Sequence, residues 1–381
     1  AGRAVRPVGP VPGPVPGPRR LKAPPRRRAP PPALAKPAGS GHARPFGDAQ
    51  QQRGAGPMTS TDRRDFRGAW DGAPAAPWPG GARLAVSVVV NVEEGAERSV
   101  ADGDPVNESV YEARQEVVGA PDPCMESHYA YGPRAGYRRI AGALARHGVP
   151  ATFSTCGRAA TRLPWLMADL SRRGHEASCH GWLWETHAGM AEAEERAIIA
   201  RTHAAVGAAT GVAPRGWHTR SASSPNTRRL LGEHGGVLYD SDCYDDDFPR
   251  IEQVAGRPHV LLPYAFDTND MRFEPGGAFV HAEDFSRYCL AAFDRLMDDV
   301  QHLPAGPVPS LQRRVILHHV RRWPLWETLR TVIATGPTRM ERCAFRSSTT
   351  AQYATRNAVG SLRCPTRTAR LNLQHERISW W

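Results

Sequence analysis

Lysine is nearly absent from this chain of 381 residues, which contains only Lys22 and Lys36 but 47 arginines. An arginine bias without lysine reflects nucleotide composition more than the design of a basic binding surface. The basic segments also lack the regularly spaced aromatic residues on which single-stranded nucleic acids stack. We therefore do not expect nucleic acid as a partner.

Cysteine pairs and long apolar runs are absent as well. The seven cysteines are scattered and none forms a C-x-x-C pair, which excludes zinc-ribbon and thioredoxin-type motifs. An odd, scattered set in a chain of this length fits a reducing compartment. There is no run of eighteen apolar residues and no apolar segment of a secretory signal at the N-terminus. We expect a cytoplasmic protein that does not enter a membrane.

Charge divides the chain into three parts. Residues 1–57 and 300–381 each carry a net charge of +10, and the residues between them carry −9. The Pro/Arg/Gly-rich repeats of 1–57 cannot bury a core, so we predict a disordered tail there. Residues 300–381 show no clear periodicity beyond Arg314–Val320. We predict an irregular basic segment that is either a divergent C-terminal subdomain or not natively folded.

Strands and helices alternate through the acidic middle part. Apolar runs predict strands at 84–92, 151–155, 176–179, 214–217, 237–241 and 259–262, and helical patterns at 134–147, 164–173, 190–209, 225–234 and 283–299. The stretch 95–133 reads as a long polar loop. This alternation predicts a parallel α/β sheet, open or closed, whose active groups gather at the carboxyl ends of the strands.

Two adjacent carboxylates, Glu93 and Glu94, end the first predicted strand. Neighbouring carboxylates repel each other, and sites that need proton or metal chemistry use such pairs because proximity separates their pKa values. A solvated turn before Gly95 would suit the same residues. The pair is therefore a candidate site only if polar side chains also follow the other predicted strands.

Other polar and aromatic side chains occupy equivalent positions. His180 follows a short strand and precedes a glycine, so its ring can point into a site or be satisfied within the core. Asp242 follows another strand and could orient a base or His180. Asn269 offers amide hydrogen bonds to a polar ligand. Trp184 and Trp217 could wall the pocket, although aromatic residues more often serve packing.

A tightly bound metal is not expected. Zinc bound through a carboxylate usually adds two histidines, commonly one helical turn apart. The position four residues after His180 is Trp184, which cannot bind a metal, and the next imidazole is His187. Glu94 and His180 alone would make a weak site.

Several segments together resemble the polysaccharide deacetylase (NodB-homology) superfamily, and most closely its PuuE-type allantoinase branch. The segments are 90–97, 126–129, 131–136, 179–182, 224–227, 238–242 and 267–273. The resemblance covers about 83–299 and implies a distorted (β/α) barrel that hydrolyses a non-peptide C–N bond. It also implies that Glu93 is the base that activates water, and that Glu94 and His180 polarise or position a ring carbonyl.

Two departures from the family pattern concern substrate contacts. The family's Gly-Trp-Tyr-Thr loop is one residue longer here, which displaces the substrate-binding Arg220. The family also ends with a strand that carries Gly-Leu-His, for which 315–319 is the only counterpart and His318 a possible site residue. If that counterpart is fortuitous, the barrel lacks its last strand.

The leading hypothesis is a metal-free hydrolase that opens a cyclic amide such as allantoin, in purine or urate catabolism. We expect no cofactor, a small-molecule substrate and a homo-oligomer. The alternative is a polysaccharide or N-acetyl-sugar deacetylase that uses a divalent metal such as zinc. A third possibility, from another class, is an inactive or interaction protein built on a damaged barrel.

Overall fold

The computed structural model describes residues 84–110, 115–220, 222–273 and 279–302, the strands 310–316 and 343–345, and positions 66, 68 and 277. The strands are β1 Leu84–Val92, β2 Thr152–Thr155, β3 Glu176–Cys179, β4 Gly216–Trp217, β5 Tyr239–Asp240, β6 Arg250–Val254, β7 Arg257–Leu261, β8 Ser310–Ile316 and β9 Cys343–Phe345. The helices are α1 Pro123–Tyr131, α2 Tyr137–Arg146, α3 Gly157–Arg162, α4 Pro164–Arg172, α5 Glu192–Thr210, α6 Thr227–His234 and α7 Ala282–His302. The predicted N-terminal tail, residues 1–57, lies outside the described residues.

The sheet is mostly parallel, which confirms the predicted α/β class. Its strands run in the order β6-β7-β5-β4-β3-β2-β1-β8, and β6 alone on this path is antiparallel to its neighbour. From β1 to β5, consecutive strands lie side by side, and β8 pairs in parallel with β1 on the edge away from β2. The carboxyl ends of β1 to β5 and β7 therefore face the same end of the sheet.

Strand β1 is covered on both faces. Eight of its nine residues are buried, and it pairs with β2 from Val89 and with β8 from Ala85. An almost unbroken Val/Leu/Ala run is the sequence signature of such a strand. Its burial fixes the position of the two glutamates that follow it.

The largest apolar core lies between the first strands and the helices beside them. It includes Leu144 of α2, Phe153 of β2, Leu170 of α4 and Ile199 of α5, all essentially inaccessible to solvent. Burying a side chain of this size contributes about 1.5–3 kcal/mol. Among the described helices, none combines the length and the low charge that a membrane span needs.

The prediction of a polar loop through 95–133 was wrong in its second half. Helix α1 begins at Pro123, and a π-helical turn, Gly132–Gly136, joins it to α2. Asp122 caps α1 by accepting hydrogen bonds from the backbone N–H groups of Cys124 and Met125. The helix was missed because Tyr129 is its only buried residue, so its sequence carries no apolar periodicity.

Within the segment 300–381, the structure describes the end of α7 and two strands, and the rest lies outside the described residues. Strand β8 pairs in parallel with β1 over seven residues, and β9 pairs with Leu84–Val86. Ser310–Ile316 contains glutamine and two arginines, so it lacks the apolar run that marks β1. Pairing with a buried neighbour thus overrides a weak local signal.

Glu176, the first residue of β3, should make the stability of the fold depend on pH. It lies at the opposite end of the strand from His180. Its carboxyl accepts hydrogen bonds from Thr152 and Tyr239, and burial raises its pKa from 4.5 to about 7. Between those values the folded state keeps a proton that the unfolded chain has lost, so stability falls as the pH rises. Between pH 4.5 and about 7, we expect the free energy of unfolding of the native protein to fall by at most about 3 kcal/mol more than that of the Glu176→Gln variant. Urea titrations of both proteins from pH 4 to 8 would show it, and a constant difference would contradict it.

Candidate active site

Three buried side chains follow the ends of β1 and β3, and two of them, Glu93 and His180, are in contact. Glu93, Glu94 and His180 expose 2% or less of their surface. His180 Nε2 lies 3.2 Å from Glu93 Oε1, although the two residues are 87 positions apart in the sequence. The parallel pairing of β1 with β2 and of β2 with β3 places both strand ends at one edge, as the sequence predicts.

Asn91 and His218 hold this pair in place. Asn91 lies two residues before Glu93, its side-chain amide donates to Glu93 Oε1, and the same nitrogen lies 3.0 Å from His180 Nε2. On the opposite side of the ring, His180 Nδ1 donates to the backbone carbonyl of His218. Because Nδ1 carries that proton, Nε2, which lies beside Glu93, has no hydrogen in the neutral imidazole. Sequence analysis missed Asn91, although its i, i+2 spacing from Glu93 on a strand was a usable signal.

Glu94 points to a different neighbour. Its Oε2 accepts a hydrogen bond of 3.2 Å from the backbone N–H of Glu93. Its carboxyl also fills the space beside Gly132, where an added Cβ would lie 2.6 Å from Glu94 Oε1. The glycine of the Tyr131-Gly132-Pro133 segment therefore leaves room for a carboxylate, which gives that motif a physical role.

Gly132→Ala should consequently damage the site. The methyl group would force Glu94 or the π-helical turn to move, and overpacking of this kind costs about 1–3 kcal/mol. Gly142→Ala in α2 is a matched control, because its nearest contact would be an ordinary 3.5 Å to Arg146. We expect urea unfolding to show Gly132→Ala destabilised and Gly142→Ala unchanged or stabilised. Equal stability of the two variants would contradict this packing argument.

Arg220 and Trp184 cover the open side of Glu93. Arg220 Nε lies 3.6 Å from Glu93 Oε2, and its guanidinium carbon sits 4.1 Å above the Trp184 ring. Trp184 is 7% exposed, and its indole N–H donates to the backbone carbonyl of Glu93 at 3.3 Å. Arg220 therefore lies at the site although its loop is one residue longer than in the family pattern. The Arg220 side chain is 24% exposed to solvent.

Trp217 and Asp242 lie behind the site and support one another through Thr219. The Trp217 indole donates to Thr219 Oγ1 at 2.9 Å, and Asp242 accepts from both the backbone N–H and the hydroxyl of Thr219. Burial, reinforced by the nearby charge of Asp240, raises the pKa of Asp242. Trp217 is fully buried, so the structure places it in the packing below the mouth of the barrel.

Aromatic rings extend the site toward β7. His218 stacks on His180 at 5.1 Å between centroids and on Tyr264 at 4.4 Å. Asn269 is fully buried, and its amide donates to the Tyr264 hydroxyl at 2.9 Å. Asn269 thus fixes the far end of this row of rings. His218 and Tyr264 were not predicted, because stacking between separate strand ends leaves no local pattern.

One further carboxyl belongs to the same strand end. Glu97 accepts a hydrogen bond from the backbone N–H of Gly95, and burial raises its pKa to about 7. It can therefore hold a proton near neutral pH. The possible site residue His318 lies outside the described residues.

The arrangement does not fit the divalent metal of the wider superfamily. Within the described ranges, no three His, Cys, Asp or Glu side chains converge at a spacing that could hold a metal ion. Trp184 occupies the position where a second histidine would be needed, and its ring nitrogen is a donor that cannot bind a cation. We therefore derive no chemical step through a metal.

Comparisons with known proteins identify the family to which this chain is similar. The family model described as "Polysaccharide deacetylase" matches residues 119–237. A "Putative polysaccharide deacetylase" of Schizosaccharomyces pombe is 32% identical over 246 residues, which are 58% of this chain and 76% of the relative.

Two solved structures superpose over most of the chain. A "probable Polysaccharide deacetylase" of Pseudomonas aeruginosa PAO1 is 35% identical with a TM-score of 0.71, covering 80% of this chain and 100% of that one. A PuuE allantoinase is 33% identical with a TM-score of 0.70, covering 80% and 99%. This chain therefore belongs to the polysaccharide deacetylase family, with its mostly parallel α/β barrel fold and its hydrolysis of C–N bonds other than peptide bonds.

Proposed function

We propose that this protein opens a cyclic amide of the allantoin type by hydrolysis, with Glu93 as the general base and without a tightly bound metal. The similarity to a PuuE allantoinase supports this substrate class. The observation that carries the proposal is the guanidinium of Arg220, which lies over Trp184 and 3.6 Å from Glu93. It supplies a fixed positive charge beside the base.

The proposed reaction begins with a water molecule at Glu93. The carboxylate takes a proton from the water as its oxygen attacks the ring carbonyl, and the carbonyl oxygen becomes negatively charged. When the ring C–N bond breaks, the proton passes to the departing nitrogen. The product is a single open-chain molecule that carries the freed nitrogen group and a new carboxylic acid, which ionises by releasing its proton to the solvent. Glu93 has passed its proton to the nitrogen and is again a carboxylate.

The Arg220 guanidinium suits the charge that develops during this reaction. A buried or half-buried donor aimed at an oxyanion acts where water cannot screen it, so it contributes more than it would in solution. The Arg220 side chain is 24% exposed, so a substrate can reach it from the solvent. Glu94 and His180 would position the ring carbonyl between this guanidinium and Glu93.

The alternative is a sugar deacetylase, which the names of the S. pombe and P. aeruginosa relatives favour. The two proposals differ in product and in metal dependence. We would incubate the purified chain with allantoin and unsubstituted hydantoin, and separately with N-acetyl chito-oligosaccharides with and without zinc. Ring opening without acetate release supports the cyclic-amide proposal, and zinc-dependent acetate release would overturn it.

A further inference from the structure

A buried carboxylate on α5, Glu195, accepts hydrogen bonds from the motif Ser224–Thr227. The proposed reaction assigns no role to either. Glu195 is fully buried, on the helix face that also carries Ile199 and Thr202. Its Oε2 accepts from the Ser224 hydroxyl at 2.5 Å, and its Oε1 accepts from the Thr227 hydroxyl. Ser224 and Thr227 therefore bind to α5 through one side chain.

The same carboxylate also holds the loop that follows β3. His187 Nδ1 lies 3.0 Å from Glu195 Oε1, and this histidine is fully buried as well. Since a carboxylate accepts and does not donate, the imidazole nitrogen and both hydroxyls point their hydrogens at Glu195. Glu195 is thus the shared acceptor for two loops that approach from different strands.

The two loops are clamped directly to each other beside this acceptor. The backbone N–H groups of His187 and Ala188 donate to the Ala222 carbonyl at 2.9 and 3.1 Å, and the Thr186 hydroxyl donates to it at 3.3 Å. Trp184 lies two residues before Thr186 in the chain, and Arg220 lies two residues before Ala222. The loop that carries Trp184 and the loop that carries Arg220 are therefore joined by these hydrogen bonds.

We propose that Glu195 is a positioning residue that holds Arg220 against Trp184 and so at its place beside Glu93. The proposal rests on the proposed function for its effect on turnover, because Glu195 does not itself reach the reacting atoms. It explains why the Ser224–Thr227 motif accompanies the site residues in the sequence. It also explains why a fully buried position of α5 is occupied by a carboxylate.

A neutral amide in place of the Glu195 carboxylate should weaken the hydrogen bonds between the two loops without leaving a cavity. Glu195→Gln keeps the side-chain volume, but one of its two terminal groups becomes a donor that faces hydroxyl or imidazole hydrogens. A buried donor left without an acceptor is costly, so the loops should shift to relieve it. Glu194→Gln is the matched control, because Glu194 is the exposed neighbour on the same helix.

The first test is a double-mutant cycle in kcat/KM for ring opening. We expect Glu195→Gln to lower kcat/KM about 10- to 100-fold in the native background, and by less than about 3-fold when Arg220→Met is already present. Glu194→Gln should change neither value. The same loss from Glu195→Gln in both backgrounds would overturn the proposal, because Glu195 would then act independently of Arg220.

The second test needs no substrate, so it separates this proposal from the proposed function. Amide hydrogen exchange reports opening of the clamp at His187 and Ala188, whose N–H groups bind Ala222. We expect Glu195→Gln to accelerate exchange at these two amides at least about 10-fold, with α4 unchanged. Unchanged exchange at both amides would overturn the positioning role even if the enzyme is active. Accelerated exchange in a chain that opens no cyclic amide would uphold the clamp and reject the reaction.

Discussion

Replacing Glu93 by glutamine is expected to lower kcat for ring opening by about 10²- to 10⁴-fold, the range that a general base contributes. Glutamine has nearly the same shape, so the backbone contacts around the site should persist. It cannot accept a proton from water at neutral pH. It also removes the negative charge that Arg220 faces at 3.6 Å. Steady-state kinetics of the variant, with urea unfolding as a check on the fold, measure this effect.

The control for this substitution is Glu283→Gln, an exposed glutamate in the first turn of α7. It removes the same charge from the surface and should leave kcat within a factor of about two. If Glu93→Gln retained more than a tenth of the native kcat in a folded protein, Glu93 would not be the base. A raised KM with an unchanged kcat would instead assign it to substrate binding.

Removal of the Arg220 charge should have the second largest effect. Arg220→Met keeps much of the apolar stem over Trp184 but deletes the guanidinium, and loss of one oxyanion donor costs about 10²- to 10³-fold in kcat. Arg220→Lys should recover only part of this loss, since an ammonium cannot lie flat on the indole ring while reaching the same point. Kinetics of the three proteins at saturating substrate give the comparison.

A surface arginine provides the matched control for that series. Arg138 of α2 is exposed, and Arg138→Met should leave kcat unchanged. An equal response of Arg220→Met and Arg138→Met would remove Arg220 from the reaction. Full recovery by lysine would mean that charge alone matters and that stacking on Trp184 does not.

The strand ends of the site were predictable because they depend on local patterns. The Val-rich run 84–92 is β1 with the predicted bounds, and Glu176–Cys179 is β3 with the predicted bounds. Parallel strands bring their carboxyl ends together, so the meeting of Glu93 and His180 follows from the alternation of elements.

Contacts that join distant loops were not predictable in the same way. The extra residue in the loop after β4 suggested that Arg220 was displaced, yet Arg220 Nε lies 3.6 Å from Glu93 Oε2. His218 acts through a backbone carbonyl and a ring face, neither of which a sequence pattern reveals. Strand β8 depends on the edge that β1 offers, so its own polar sequence did not predict it.

The central claim is that Glu93 drives cyclic-amide hydrolysis without a metal, and one experiment tests it most directly. Allantoin hydrolysis would be measured for the native chain and for Glu93→Gln, each in excess chelator and after return to buffer containing zinc. The account predicts that the native rate is the same in both buffers and that Glu93→Gln is at least 10²-fold slower in each. A native rate that disappears in chelator and returns with zinc would contradict it.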